Sequence, residues 1–78
     1  MAKIYNNILD SYQAEEIFNY SSYNNIFEAI SDYFDEVYID GEFIEQNMPK
    51  YHRYVTTTRE GLEIYYDYGA DYYFAVQP

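Results

Sequence analysis

From Tyr23 onward the apolar positions Tyr23, Ile26, Phe27, Ile30, Tyr33, Phe34 and Val37 recur at steps of three and four. That spacing lays them on one stripe of a helix. Glu28, Asp32, Asp35 and Glu36 then fall on the opposite side. Asn24 and Asn25 precede the stripe, and Asn favours the cap position because its side chain accepts hydrogen bonds from the free amides of the first turn. The same opening occurs 18 residues earlier: Tyr5-Asn6-Asn7-Ile8-Leu9-Asp10 matches Tyr23-Asn24-Asn25-Ile26-Phe27-Glu28. It predicts a second helix start, with Ile8, Leu9, Tyr12, Ile17 and Phe18 as its apolar side and Asp10, Glu15 and Glu16 turned away. Two copies are too few for a solenoid, so the match reads as two helices with similar caps.

After Val37 the period changes. Val37-Tyr38-Ile39 and Glu42-Phe43-Ile44 flank Asp40-Gly41, a pair suited to a two-residue hairpin turn. Gln46 to His52 reads as a loop, because Pro49 excludes regular pairing. Turns at Glu60-Gly61 and Gly69-Ala70-Asp71 separate three strand-like runs, Arg53 to Arg59, Leu62 to Tyr68 and Tyr72 to Gln77. Alternation puts Leu62, Ile64, Tyr66 and Tyr68 on one side, opposite Glu63, Tyr65 and Asp67. In the last run Tyr72, Phe74 and Val76 oppose Tyr73, Ala75 and Gln77. The expected architecture is a single α+β domain over residues 1–78, with two helices packed on one face of an antiparallel sheet of three to five strands.

Charge changes the picture most. Between Ile4 and Pro49 there are ten carboxylates (Asp10, Glu15, Glu16, Glu28, Asp32, Asp35, Glu36, Asp40, Glu42 and Glu45) and no Lys or Arg. Solubility needs net charge, but it does not need the exclusion of every cation over so long a stretch. Glu28, Asp32 and Glu36 follow one another at about 6 Å along a helix axis. That spacing resembles neighbouring phosphates on one nucleic-acid strand. A formal charge of -10 on 78 residues adds self-repulsion to a small core. The offset is aromatic: thirteen Tyr and five Phe supply rings that can each bury about 150–250 Å². So hydrophobic a chain does not match the composition of disorder.

These features narrow the chemistry. Cysteine is absent, which removes disulfides and thiolate metal sites and fits a reducing cytoplasm. No apolar run approaches the roughly 20 residues that span a bilayer. Anionic lipid and nucleic acid would both repel so acidic a chain, so the expected partner is a basic protein surface. The one His, His52, lies in a basic cluster with Lys50, Arg53 and Arg59 and reads as an exposed loop residue rather than a general base. Those cations are expected to pair with carboxylates and lie over tyrosines. A calcium-loop register on Gly41 puts Glu36, Tyr38 and Asp40 at positions 1, 3 and 5 and Asn47 at position 12, and it fails at Tyr38 and Asn47. No catalytic residue, cofactor or metal site is expected.

In size, charge, aromatic content and lack of cysteine the whole chain resembles the small acidic inhibitors of phages and mobile elements: antirestriction proteins, anti-CRISPR proteins and uracil-DNA glycosylase inhibitors. Tyr5-Asn6-Asn7-Ile8-Leu9-Asp10 is locally similar to the opening of Ocr-type antirestriction proteins, which are DNA mimics. The chain departs from their mostly helical pattern in its strand-rich C-terminal part. The resemblance implies a non-enzymatic inhibitor, acting in the host bacterial cytoplasm, whose carboxylates replace phosphates in the DNA channel of a CRISPR effector, restriction enzyme or repair enzyme. Glu28, Asp32, Asp35 and Glu36 are the first candidates for that surface, followed by Glu15, Glu16, Asp40 and Glu42. The alternative is an antitoxin or adaptor that binds through a Tyr-rich sheet face. Tyr65 and Tyr73 could serve a dimer, and a monomer fits equally.

Overall fold

The computed structural model describes residues 1–78, and its elements are β1 (Ala2–Asp10), α1 (Ser11–Asn19), α2 (Ile26–Val37), a 3-10 turn (Tyr38–Asp40), β2 (Phe43–Gln46), β3 (His52–Thr57), β4 (Glu63–Asp67) and β5 (Tyr72–Gln77). The five strands form one antiparallel sheet in the order β2-β1-β5-β4-β3. Both helices pack on one face of it. The expected α+β class and two-layer packing are therefore present, with five strands.

The first helix starts later than its sequence suggests. Tyr5 to Asp10 lie on β1, paired with β2 on one side and β5 on the other. This strand is covered on both faces: Tyr5 and Leu9 enter the helix-side core, and Ile4 joins Phe74 and Val76 on the reverse side. Its apolar residues therefore come in neighbouring pairs, Ile4-Tyr5 and Ile8-Leu9, four apart, which is also a helical spacing. Between Ile4 and Ile8 the register with β5 shifts, and the exposed Asn6 and Asn7 occupy this bulge. Asp10 closes the strand and caps α1. Its carboxylate accepts from the Gln13 amide at 2.8 Å, and the Gln13 side chain accepts from the Asp10 amide at 3.3 Å.

α2 begins where expected, with the Asn25 side chain accepting from the Glu28 amide at 3.0 Å. Ala29, Ile30 and Phe34 are fully buried against the sheet, with Tyr33 and Val37 beside them. Two members of the expected stripe depart from it. Tyr23 precedes the helix, and Phe27 stands off the core at 52% exposure.

The expected hairpin at Asp40-Gly41 does not form. Val37 ends α2, Tyr38–Asp40 continue it as a tight turn, and β2 pairs with β1 instead. Tyr5 explains the glycine. Its ring passes so close beneath Gly41 that an added Cβ would fall 1.5 Å from Tyr5 Cε1. The Tyr5 hydroxyl donates to the Val37 carbonyl and accepts from the Asn7 side-chain amide at 3.0 Å. One buried phenol thus ties the end of α2 to the second strand of the sheet.

The run from Asn47 to Tyr51 must carry the chain from one edge of the sheet to the other, about 19 Å at four strand spacings. Six Cα steps reach about 20–22 Å when extended, so this connection crosses as a short strap, bent at Lys50 and Tyr51. Met48 packs on Ile4, Phe74 and Val76. Tyr51 anchors the far end, its carbonyl accepting from the Tyr68 amide at 3.0 Å. The expected three-strand meander β3-β4-β5 and its alternation hold: Ile64, Tyr73 and Ala75 face the helices, and Tyr65, Tyr72, Phe74 and Val76 face the strap. His52 is exposed as expected, but as the first residue of β3, where its Nδ1 lies 2.6 Å from the Pro49 carbonyl oxygen.

Candidate functional site

The outer side of α2 follows from its inner side. With Ala29, Ile30, Tyr33, Phe34 and Val37 turned to the sheet, helical geometry puts Glu28, Asp32 and Glu36 on the outer side, Glu36 exposed and the other two half-buried, with Asp35 half-buried beside them. Glu28 sits in the first turn, where a carboxylate complements the helix dipole; Asp35 and Glu36 sit at the opposite end, where it opposes them. No basic residue occupies that last turn. Successive carboxylates at Glu28, Asp32 and Glu36 also repel along the helix. Local stability is thus given up to keep this side anionic.

Tyr23, from the loop before α2, lies against these carboxylates. Burial raises its phenol pKa above the ordinary value, and so, in smaller measure, do Asp32, Glu36 and Glu28. Tyr23 thus lies near these carboxylates, although helical spacing assigns it to the core stripe.

At the other end of α2, Asp32, Asp35 and Glu36 line a shallow depression of about 450 Å³ with Ile39, Arg59 and Glu60. Glu60 arrives from the turn between β3 and β4 and accepts from the Tyr38 hydroxyl at 3.4 Å. Its charge, with the burial of the ring and Asp35 behind it, raises the Tyr38 pKa. Oδ1 of Asp35 is enclosed with no hydrogen-bond partner, a cost for a charged group. Arg59 bounds the site. The stretch free of cations along the chain is thus not free of them in space, and only folding brings Glu60 and Arg59 to it.

The remaining candidates are dispersed. Glu15 and Glu16 are exposed on α1, in the same helix layer; Glu15 bears on the Tyr73 hydroxyl, away from the α2 cluster. Asp40 is exposed on the turn that follows α2. Glu42 lies at the sheet edge, where its amide donates to Asn6 Oδ1 at 3.4 Å and its carbonyl accepts from the Asn6 amide at 3.0 Å. The structure carries Glu28, Asp32, Asp35 and Glu36 on one helix, brings Glu60 to its C-terminal end, and leaves Glu15, Glu16, Asp40 and Glu42 dispersed.

Two of the cations rest on tyrosines as expected: Lys50 Nζ is 5.2 Å from the Tyr51 ring centroid, and Arg53 Cζ 5.6 Å from that of Tyr68. No three His, Asp or Glu side chains converge closely enough to hold a metal ion. No helix is long and apolar enough to cross a membrane. No family model, curated protein or solved structure matches the chain.

Proposed function

We propose that this protein is an inhibitor that mimics DNA and occupies the basic nucleic-acid channel of a host DNA-binding protein, such as a CRISPR effector, a restriction enzyme or a repair enzyme, in the bacterial cytoplasm. One observation carries the reading: Glu28, Asp32 and Glu36 project from a helix rigidly seated on the sheet, at one-turn spacing, with carboxylates kept even where the helix dipole opposes them. A rigid anionic row complements a groove of Lys and Arg, and its long-range field speeds encounter with that groove. No bond is made or broken. The carboxylates occupy phosphate positions, and the target is blocked while they remain.

Competition tests this. A basic partner bound to the immobilised protein should be displaced by added duplex DNA, and its affinity should fall steeply with salt because exposed charges are screened beyond about 8 Å at physiological ionic strength. The triple variant Glu28→Gln, Asp32→Asn, Glu36→Gln should lose the partner.

The second reading, an antitoxin or adaptor using the aromatic sheet face, draws support from Ile8, Ile44 and Tyr54, each about half exposed on or beside the strap side of the sheet. Its partner would ignore DNA and survive high salt.

A further inference from the structure

The helix layer does not cover the whole of its side of the sheet. Where α2 begins, Phe27 stands away from the core and, with Val55, Tyr66 and Tyr73, lines an open groove of about 290 Å³ whose rim is Arg53 and Tyr54 on the edge strand. The Tyr66 and Tyr73 rings lie 4.9 Å apart between centroids, tilted by 43°. A groove of three rings in an acidic protein offers negative π-faces to a cation.

Its two ends differ in charge. At one end Arg53 rests its guanidinium on Tyr68, which follows β4 two residues after Tyr66. At the other, the Tyr66 hydroxyl donates to Asp71, which also accepts from the Ser11 hydroxyl at 2.9 Å. These two donors lower the Asp71 pKa and keep it ionised. Burial, and then the charges of Asp71 and Glu15, raise that of Tyr73. The end nearest α1 is therefore anionic as well as aromatic.

We propose that this groove receives an arginine side chain of the basic partner, its guanidinium stacked on Tyr66 and Tyr73 and directed toward Asp71. The inference rests on the reading of a basic partner and adds a second point of attachment to it. Charge decides the occupant. An anionic group would meet Asp71 and the field of the whole chain, and a neutral apolar group would leave that carboxylate unused. Arginine suits the rings better than lysine, because its planar, weakly hydrated guanidinium stacks on aromatic faces. Arg53 fixes the polarity by repelling a second cation from its own end.

The probe is an acetylated peptide alternating Gly and Arg, titrated into the labelled protein while the ring resonances of Phe27, Tyr66 and Tyr73 and the amides of α2 are followed by NMR. The expected result is saturable shifts of the three rings, stronger than those from the Gly-Lys analogue. Phe27→Ala, at an exposed position that leaves the core intact, should weaken the ring-detected affinity by about two- to fivefold, the scale of an exposed cation–π contact. Phe27→Tyr should restore it. Shifts confined to α2, with Phe27→Ala binding like the parent, would overturn the groove and leave mimicry by α2 standing. Ring shifts without α2 shifts would support the groove and count against that mimicry. Absence of shifts in both regions would overturn both.

Discussion

The two sides of the sheet are covered by different means. One carries two helices over a core of Tyr5, Leu9, Ala14, Ile30, Phe34, Leu62, Ile64 and Ala75; the other has only the strap and Met48 over Ile4, Phe74 and Val76. The helix layer turns its carboxylates outward, whereas the strap side offers isoleucines, tyrosines and amides, with Ile4, Ile8, Ile44, Tyr72 and Phe74 around a recess of about 470 Å³. The side with the stronger core is the one that bears the α2 carboxylates, while Glu63 and the buried Asp67 belong to the strap side. Repulsion among carboxylates needs a rigid support, and α2 receives it from Phe34 and from the Tyr5 hydroxyl on Val37.

The largest expected effect therefore lies beneath the acidic layer. Phe34→Ala should cost about 3–5 kcal/mol, enough to unfold much of so small a domain. Met48→Ala, which uncovers a half-buried strap residue, should cost about 1–2 kcal/mol. Urea unfolding of both variants measures the difference, and equal losses would break the distinction between the two sides. Next comes Gly41→Ala, which drives a methyl into the Tyr5 ring and should cost about 1–3 kcal/mol. Tyr5→Phe keeps the ring but leaves the Val37 carbonyl without its donor, and should cost about 1 kcal/mol.

These positions also show how far the sequence was readable. The core side of α2 was legible because it has one buried face and one period, and the meander because the turns at Glu60-Gly61 and Gly69-Ala70-Asp71 bound short alternating runs, even though β5 is buried on both faces. β1 was not, because a strand buried on both faces pairs its apolar residues and imitates a helix; Ile4-Tyr5 and Ile8-Leu9 are that imitation. Gly41 carried a turn signal, yet the reason for it is the ring of Tyr5, 36 residues earlier. At the site, helical spacing put Glu28, Asp32 and Glu36 on one side of α2, as the structure has them, but gave no sign that Asp35 Oδ1 is enclosed. Tyr23 was assigned to the core by the same periodicity, and Glu60 and Arg59 reach α2 only through the tertiary fold.

Alkali should weaken both sides together. Tyr23, Tyr33, Tyr38, Tyr65, Tyr66, Tyr72 and Tyr73 all have pKa values raised above the ordinary 10.0, for most of them chiefly by burial. A raised value means that the fold favours the protonated phenol. The stabilisation is complete below the unfolded value and is lost as pH rises through the folded values. Urea midpoints should therefore hold near pH 8 and fall above about pH 10. A flat midpoint to pH 11 would contradict the buried placement of these rings. Asp71 has the opposite sign: its lowered pKa gives stability above the usual carboxylate range that is lost as pH falls through its folded value.

The smallest expected effect on stability falls on a carboxylate of the proposed binding row. Glu36→Gln removes a charge that opposes the helix dipole and repels Asp32, so it should stabilise the fold by a few tenths of a kcal/mol. Added salt should do the same for the parent chain and less for the variant. A loss of stability in Glu36→Gln would mean that this carboxylate serves the fold rather than a partner.

The most direct measurement is a pull-down from bacterial lysate with the parent chain and the Glu28→Gln, Asp32→Asn, Glu36→Gln variant side by side, eluted by a salt step with and without competing duplex DNA. The predicted result is a DNA-binding protein that is retained by the parent, released at moderate salt or by DNA, and absent from the variant. A partner that survives high salt, ignores DNA and binds the variant equally would contradict mimicry and place the function on the strap side of the sheet.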